Sequence, residues 1–342
     1  MSERVPARRV FLGLLALLML TSVGFAGLRF GTIDLTFGDI WDVFLYRTGV
    51  TPSVDPMFDR VIWQLRLPRV LLAGAVGAGL SVVGVAMQTL VRNPLAEPYI
   101  LGVSSGASAG AAVLYLGFLP AGAAGFITLP LAAFLGSLLA LGLAYGVARV
   151  GPVLSTTRLL LAGVAIAALL SAITSFLIFA SPQPEKLQTL LFWLLGSFSS
   201  ARWEFVPLPL ICTVLGASVL TLWARPLDAL LVGEEPAQSL GIPVETLKRL
   251  LIAGTALLTG VAVASAGVIG FVGLIVPHAT RFLVGVTHRR LVPSAALGGA
   301  VFLILADVVA RTLLAGRELP IGIITAVCGV PFFLLLLRSR LP

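Results

Sequence analysis

The chain has 342 residues, of which 58% are hydrophobic and 11% charged, with a formal net charge of +8. A soluble domain carries about 25% charged residues, so this composition excludes a water-soluble globule and places nearly the whole chain in a bilayer. The two cysteines, Cys212 and Cys328, lie in apolar runs, which reads as packed thiols and argues against a disulfide framework or a metal site.

In chain order, Arg4, Arg8 and Arg9 precede an apolar run from Val10 to about Leu28. That order, followed by Gly24 to Gly27, imitates a secretory signal, but the run is span length and many spans follow, so it reads as an uncleaved first helix. Residues 29–67 carry Asp34, Asp39, Asp42, Asp55 and Asp59 without a span-length apolar run, and are expected outside the membrane. From Pro68, apolar runs at 68–90, 99–117, 125–148, 158–180, 204–223, 249–266, 274–285, 292–311 and 320–337 alternate with short polar punctuation. With the first helix they predict an all-α, polytopic membrane helix bundle of about ten transmembrane helices, forming a single transmembrane domain over 1–342. Leu190 to Phe198 is too short to span and is expected along the outer face. The glycine-rich Gly267 to Gly273 predicts non-helical backbone buried at membrane depth.

Lys and Arg near the span ends favour an orientation with both termini cytoplasmic. In GVSSGASAG, Gly102, Gly106 and Gly110 share one helical face, which permits close approach of a neighbouring helix. Ser104, Ser105 and Ser108 could line a path, but serines in membrane helices more often bond their own backbone, and packing is the favoured reading. Asp307 is the exceptional acid at membrane depth, and Arg311, one turn on, pairs with it without invoking proton transport. His278 and His288 have no partners at metal-ligand spacing. The phosphate-binding pattern GxxxxGK[ST] is absent, so if the chain serves active transport the energy must arrive from a partner.

The polar stretch 233–250, GEEPAQSLGIPVETLKRL, stands between membrane spans with Glu234, Glu235 and Glu245 ahead of Lys248 and Arg249. Pro236 and Pro243 fit first helical turns, which predicts two short amphipathic helices about a turn at Gly241. It reads as a cytoplasmic handle for a motor subunit.

Arg66 to Arg69, Gln88, Asn93 to Ala96, Leu101 to Ala107, Gly233 to Gly241, Gly270 to His278, Asp307 to Arg311 and Glu318 to Gly322 together resemble the FecCD-type permeases, the transmembrane subunits of type II ABC importers for iron siderophores, haem and cobalamin. The resemblance implies ten helices per subunit in the cytoplasmic membrane and a second permease subunit, as a homodimer or heterodimer. It also implies two cytoplasmic ABC ATPase subunits and an extracytoplasmic substrate-binding protein. Gly233, Glu234, Glu235, Pro236, Ala237, Ser239, Leu240 and Gly241 would form the ATPase-coupling segment. Thr156 and Thr157, in STTR, would match the cytoplasmic gate, or else cap their helix. Arg66, Arg69 and Arg311 would match positions that dock the binding protein, or else anchor and pair locally. No catalytic residue, cofactor or nucleic-acid partner is expected. A ferric siderophore is the favoured cargo only because it is the commonest in the family, with haem and cobalamin as alternatives; an ion-coupled secondary carrier would need Asp307 as its coupling acid.

Overall fold

A computed structural model describes residues 4–31, 33, 35–118, 128–150, 153–314 and 316–340. Helix α1 spans Arg4–Arg29 and α2 spans Phe37–Arg47. Thr36 and Asp39 close a reciprocal capping box at the start of α2. The Thr36 hydroxyl, with its backbone N–H, holds the Asp39 carboxyl below the usual carboxylate range. A helical lead-in, Pro56–Asp59 and then a π-helical stretch Arg60–Arg66, runs into α3, Leu67–Val91. Buried on nearly every face, α3 is the central post of the bundle, which explains why it is apolar all round rather than striped.

Next come α4 (Val103–Tyr115), α5 (Leu129–Ala148) and α6 (Thr156–Phe179). A two-residue antiparallel hairpin, Arg149–Val150 with Val153–Leu154, joins α5 to α6. The close approach expected of the glycine face is found at two of its three members: a Cβ on Gly106 or Gly110 would lie 2.2 Å from a backbone carbonyl of α5, at Gly136 and Ala132 respectively, whereas Gly102 caps α4 at φ +79 and faces Gly163 of α6 instead.

The second half contains α7 (Leu187–Leu194), α8 (Pro207–Leu222), α9 (Ala224–Val232), α10 (Glu234–Ser239) and α11 (Val244–Ala266). It ends with α12 (Val272–Val284), α13 (His288–Thr312) and α14 (Ile321–Arg340). The backbone between α11 and α12 is non-helical and buried or half-buried throughout, as its glycines predict. Gly267 opens it at φ +71, and a Cβ there would meet the Trp193 carbonyl at 2.1 Å, so α7 packs where only glycine fits. The α7 segment is therefore a wedge: Gly196 and Leu195 accept from the N–H groups of Ile321 and Gly322, and the Ser197 N–H donates to Ala266.

Seven helices among the described residues are long and apolar enough to cross a membrane, while α12 and the Leu17–Arg29 part of α1 are shorter apolar helices. Short α4 begins only after a 3-10 turn, Pro98–Leu101, takes up the first part of its apolar run. Two expectations need correction. The polar stretch is not two separate short helices, because after Pro243 the chain enters α11 and stays helical through the apolar sequence that follows. Cys328 is exposed rather than packed, because α14 turns one face away from the bundle; Cys212 is half-buried.

Apolar side chains gather in two main cores. One joins Leu90, Leu159, Leu227, Ala237, Val244 and Leu291 at the end of α3 that carries Thr89; the other joins Leu28, Ile40, Val70, Ala310 and Ile321 at the end that carries Arg69.

Candidate functional site: two polar ends of one helix bundle

The α3 helix separates two polar clusters by its own length, about 37 Å at 1.5 Å per residue. At the Thr89 end, α9 leads through Gly233 into α10. Ala237 is fully buried and anchors α10 to the core, while Glu235, Pro236, Ser239 and Leu240 are exposed, Leu240 at 73%. A short helix thus presents a mixed polar and apolar surface outward from a fixed base.

Two buried polar struts tie that base to the long helices. Lys248, 2% exposed on α11, reaches Glu234 at 3.1 Å and Glu245 at 2.9 Å. Arg92, just past α3, lies 3.9 Å from the other Glu234 oxygen. His288, fully buried at the start of α13, sits 2.6 Å from the Asp228 carboxylate of α9 through Nδ1 and 2.7 Å from the Thr89 hydroxyl of α3 through Nε2. The His288 backbone N–H also donates to Asp228. One histidine therefore joins three elements. Sequence reasoning, which asked of His288 only whether it could hold a metal, passed over it; its place in the basic loop before a long apolar run was the available signal.

Thr156 and Thr157 open α6 at the same end, where Leu159 enters the shared core. The cap is Ser155, whose hydroxyl accepts from the Arg158 N–H at 3.4 Å, so neither threonine is needed for that task; Thr157 is exposed and Thr156 half-buried.

Midway, the buried non-helical segment is held from the α3–α4 connection. Glu97 accepts from the Phe271 N–H at 2.5 Å, and the Tyr99 hydroxyl donates to the Ile269 carbonyl at 2.8 Å. Gln88 donates to the Gly273 carbonyl at 3.1 Å and accepts from Arg281. Glu97 and Tyr99 directly follow the NPLA motif and carried no signal of their own.

At the opposite end, the structure brings Arg66, Arg69 and Arg311 together around a cavity of about 210 Å³ that Glu318 also lines. They are 6%, 8% and 6% exposed, not the exposed side chains that docking by surface ion pairs would need. Arg66 donates to the backbone carbonyls of Leu28, Arg29 and Ile33 at 2.6 to 2.7 Å. Arg69 reaches Asp307 at 2.9 Å and Glu318 at 3.0 Å. Arg311 reaches Asp307 at 3.1 Å, the expected intrahelical pair, and also donates to the Gly27 carbonyl. The sequence pointed to one partner for Asp307; the fold supplies two, because α3 and α13 run side by side there. No group of acids, histidines or cysteines among the described residues could hold a metal ion.

Comparison with known proteins gives the arrangement a family. The FecCD transport family matches residues 15–339. The chain is 45% identical over 287 residues to the cobalamin import system permease protein BtuC of Halobacterium salinarum, covering 82% of this chain and 74% of that one. It is 41% identical over 345 residues to the hemin transport system permease protein HmuU of Yersinia pestis, covering 99% and 98%. A solved structure described as an inward-facing metal-chelate type ABC transporter superposes with a TM-score of 0.83 at 34% identity, covering 97% of this chain and 99% of that chain. The match runs across both polar ends and the helices between them, and the chain belongs to the FecCD transport family as a membrane-spanning permease.

Proposed function

We propose that this chain is the permease of an ATP-driven importer that passes a metal chelate inward, with α10 as the seat of a cytoplasmic ATPase. The observation that carries this reading is the geometry of α10: an exposed six-residue helix whose base is locked to α11, α3 and α13 by buried Lys248 and His288. A force applied to Glu235, Ser239 and Leu240 reaches three long helices without passing through a slack linker. Both termini then face the cytoplasm, as the distribution of Lys and Arg favours. A second copy or a paralogue would complete the pathway, and ATP-linked binding would shift the balance between outward-open and inward-open states.

Thr156 and Thr157 are the proposed inner gate, since Ser155 relieves them of capping. The arginine cavity at the other end is the proposed docking site for an acidic side chain of the binding protein. A carboxylate entering it would compete with Glu318, whose side chain is 33% exposed, for Arg69. For cargo, the two named relatives are cobalamin and hemin permeases, which supports a macrocyclic chelate over the ferric siderophore favoured by family frequency alone.

The coupling reading is tested with Ala237→Pro, which removes the N–H that bonds the Gly233 carbonyl at 3.2 Å. Uptake of labelled chelate should be lost while the protein still inserts and keeps its second subunit. An ATPase-dead partner should stop wild-type uptake, and collapsing the proton gradient under clamped ATP should not. Uptake that survives the dead ATPase and follows the gradient would turn the assignment to a secondary carrier.

A further inference from the structure

Between α4 and α6 lies an open cavity of about 330 Å³ lined by Ser104, Ser105, Ser108, Ser171, Thr174 and Ser175, with apolar side chains such as Val268 beside them and no charged residue in its wall. Packing between α4 and α5 is carried by Gly106 and Gly110 on another face, so these serines are not what brings α4 against α5.

The hydroxyl hydrogens are largely spoken for. Ser108 donates to the Ser104 carbonyl at 2.9 Å, Thr174 to Leu170 at 2.8 Å and Ser175 to Ser171 at 3.0 Å, each one turn back along its own helix. Ser105 and Ser171 share one hydrogen bond at 3.2 Å between α4 and α6. A hydroxyl that has given its hydrogen to the backbone shows the cavity its oxygen lone pairs. The wall is therefore rich in acceptors and poor in donors.

We propose that this cavity is a subsite on the transport path that takes the neutral, N–H-bearing face of the cargo, such as a rim of primary amides, and turns carboxylates away. A carboxylate is acceptor only, and would meet an uncharged wall with few spare donors and no cation to replace its hydration. At about 330 Å³ the cavity sits at the small end of ligand sites, so it holds one edge of a bulky chelate and not the whole. Several weak acceptors also suit a site that must release what it holds. This inference rests on the importer reading and narrows its cargo toward amide-bearing chelates.

The test uses the full chain in nanodiscs with Cys212→Ala and Cys328→Ala, carrying Ser105→Cys, Ser175→Cys or, as an aqueous control, Ser239→Cys. Each is treated with the neutral hydroxyethyl and the anionic sulfonatoethyl methanethiosulfonate. Relative to the control, the anionic reagent should react at the cavity cysteines about tenfold more slowly than the neutral one, the factor that about 1.4 kcal/mol makes. Cyanocobalamin should slow the neutral reaction, and haemin at equal concentration should not. Thr174→Val, close in shape, should weaken the cyanocobalamin protection read at Ser105→Cys, which keeps the test decisive if Ser175→Cys folds poorly. No reaction with either reagent, equal relative rates, or protection by haemin as strong as by cyanocobalamin would overturn the proposal. The labelling needs no ATPase: failure of ATP-driven import alone would end the importer reading, whereas import without the labelling contrast would end only this one.

Discussion

The two ends of α3 use the same device with different consequences. At each, a buried cation bridges carboxylates from two elements: Arg69 between Asp307 and Glu318, Lys248 between Glu234 and Glu245. What differs is where the acids stand. The Asp307 side chain is 1% exposed, whereas Glu234 and Glu245 are 31% and 29% exposed. If the Arg69 network breaks, a charge is stranded in the protein; if the Lys248 bridge breaks, both glutamates can turn to water. A charge that cannot reach water makes a fixed joint, and one that can makes a joint able to yield. The end that holds the arginine cavity is thus held fast, and the end that holds α10 can tolerate movement.

The largest effect expected from that contrast is at Asp307. Asp307→Ala leaves Arg69 and Arg311 buried with one shared carboxylate fewer, which should cost about 3 to 5 kcal/mol. Thermal unfolding of the purified permease in detergent should fall accordingly. If Asp307→Ala instead unfolds like wild type while transport changes its dependence on the proton gradient, Asp307 is a coupling acid and the comparison fails.

Lys248→Met is the matching cut at the other end. It removes charge-assisted hydrogen bonds of about 1.5 to 3 kcal/mol, but the released glutamates regain water, so the net stability loss should be well below that of Asp307→Ala. The loss should appear instead in coupling, as fewer chelates moved per ATP hydrolysed by the assembled complex. Asp228→Asn, which weakens the His288 strut, should act in the same direction. A large drop in unfolding temperature with coupling intact would make these struts ordinary supports.

Much of this contrast was hidden in the sequence, for a physical reason. The positions of seven spans were legible because apolar length is local, and so were Gly106 and Gly110 of α4 and the broken backbone at Gly267, since each is a property of a few consecutive residues. The Asp307–Arg311 pair was legible because it lies within one helical turn. Arg69 with Glu318, Lys248 with Glu234, and His288 with Asp228 and Thr89 were not. Each joins residues from separate elements, and only packing decides whether such side chains meet or face water. For the same reason the arginines looked like surface anchors: a charged residue at a span end reads as exposed until a neighbouring carboxylate is known to lie against it.

A smaller effect sharpens the docking side of the comparison. Glu318 is the one acid of the arginine network that reaches solvent, and Arg69 keeps Asp307 without it. Glu318→Gln should leave stability near wild type and speed association of the cognate binding protein at low salt, because an internal competitor for Arg69 is gone. High salt should narrow the difference. Slower association, or none that differs, would remove the cavity as the docking site.

The smallest expected effect separates a support from a gate within one helical turn. Ser155 accepts from the Arg158 N–H, and losing such a cap costs about 0.5 to 2 kcal/mol, with the long 3.4 Å contact favouring the lower part of that range. Ser155→Ala should therefore lower the unfolding temperature slightly and leave the transport rate of the folded protein nearly unchanged. Thr157 is exposed at the first turn and bonds no cap position, so Thr157→Val should do little to stability. Enlarging it is another matter: Thr157→Phe places a ring where the proposed inner mouth narrows, and should slow transport without loosening the ATPase. Thr156, half-buried beside it, should behave alike but with some added strain from its neighbours. Stability and transport measured on the same preparations should thus move apart, Ser155→Ala shifting the first and Thr157→Phe the second. If both substitutions shift only stability, the start of α6 is a capped helix end and nothing more, and the gate must be sought elsewhere along the path.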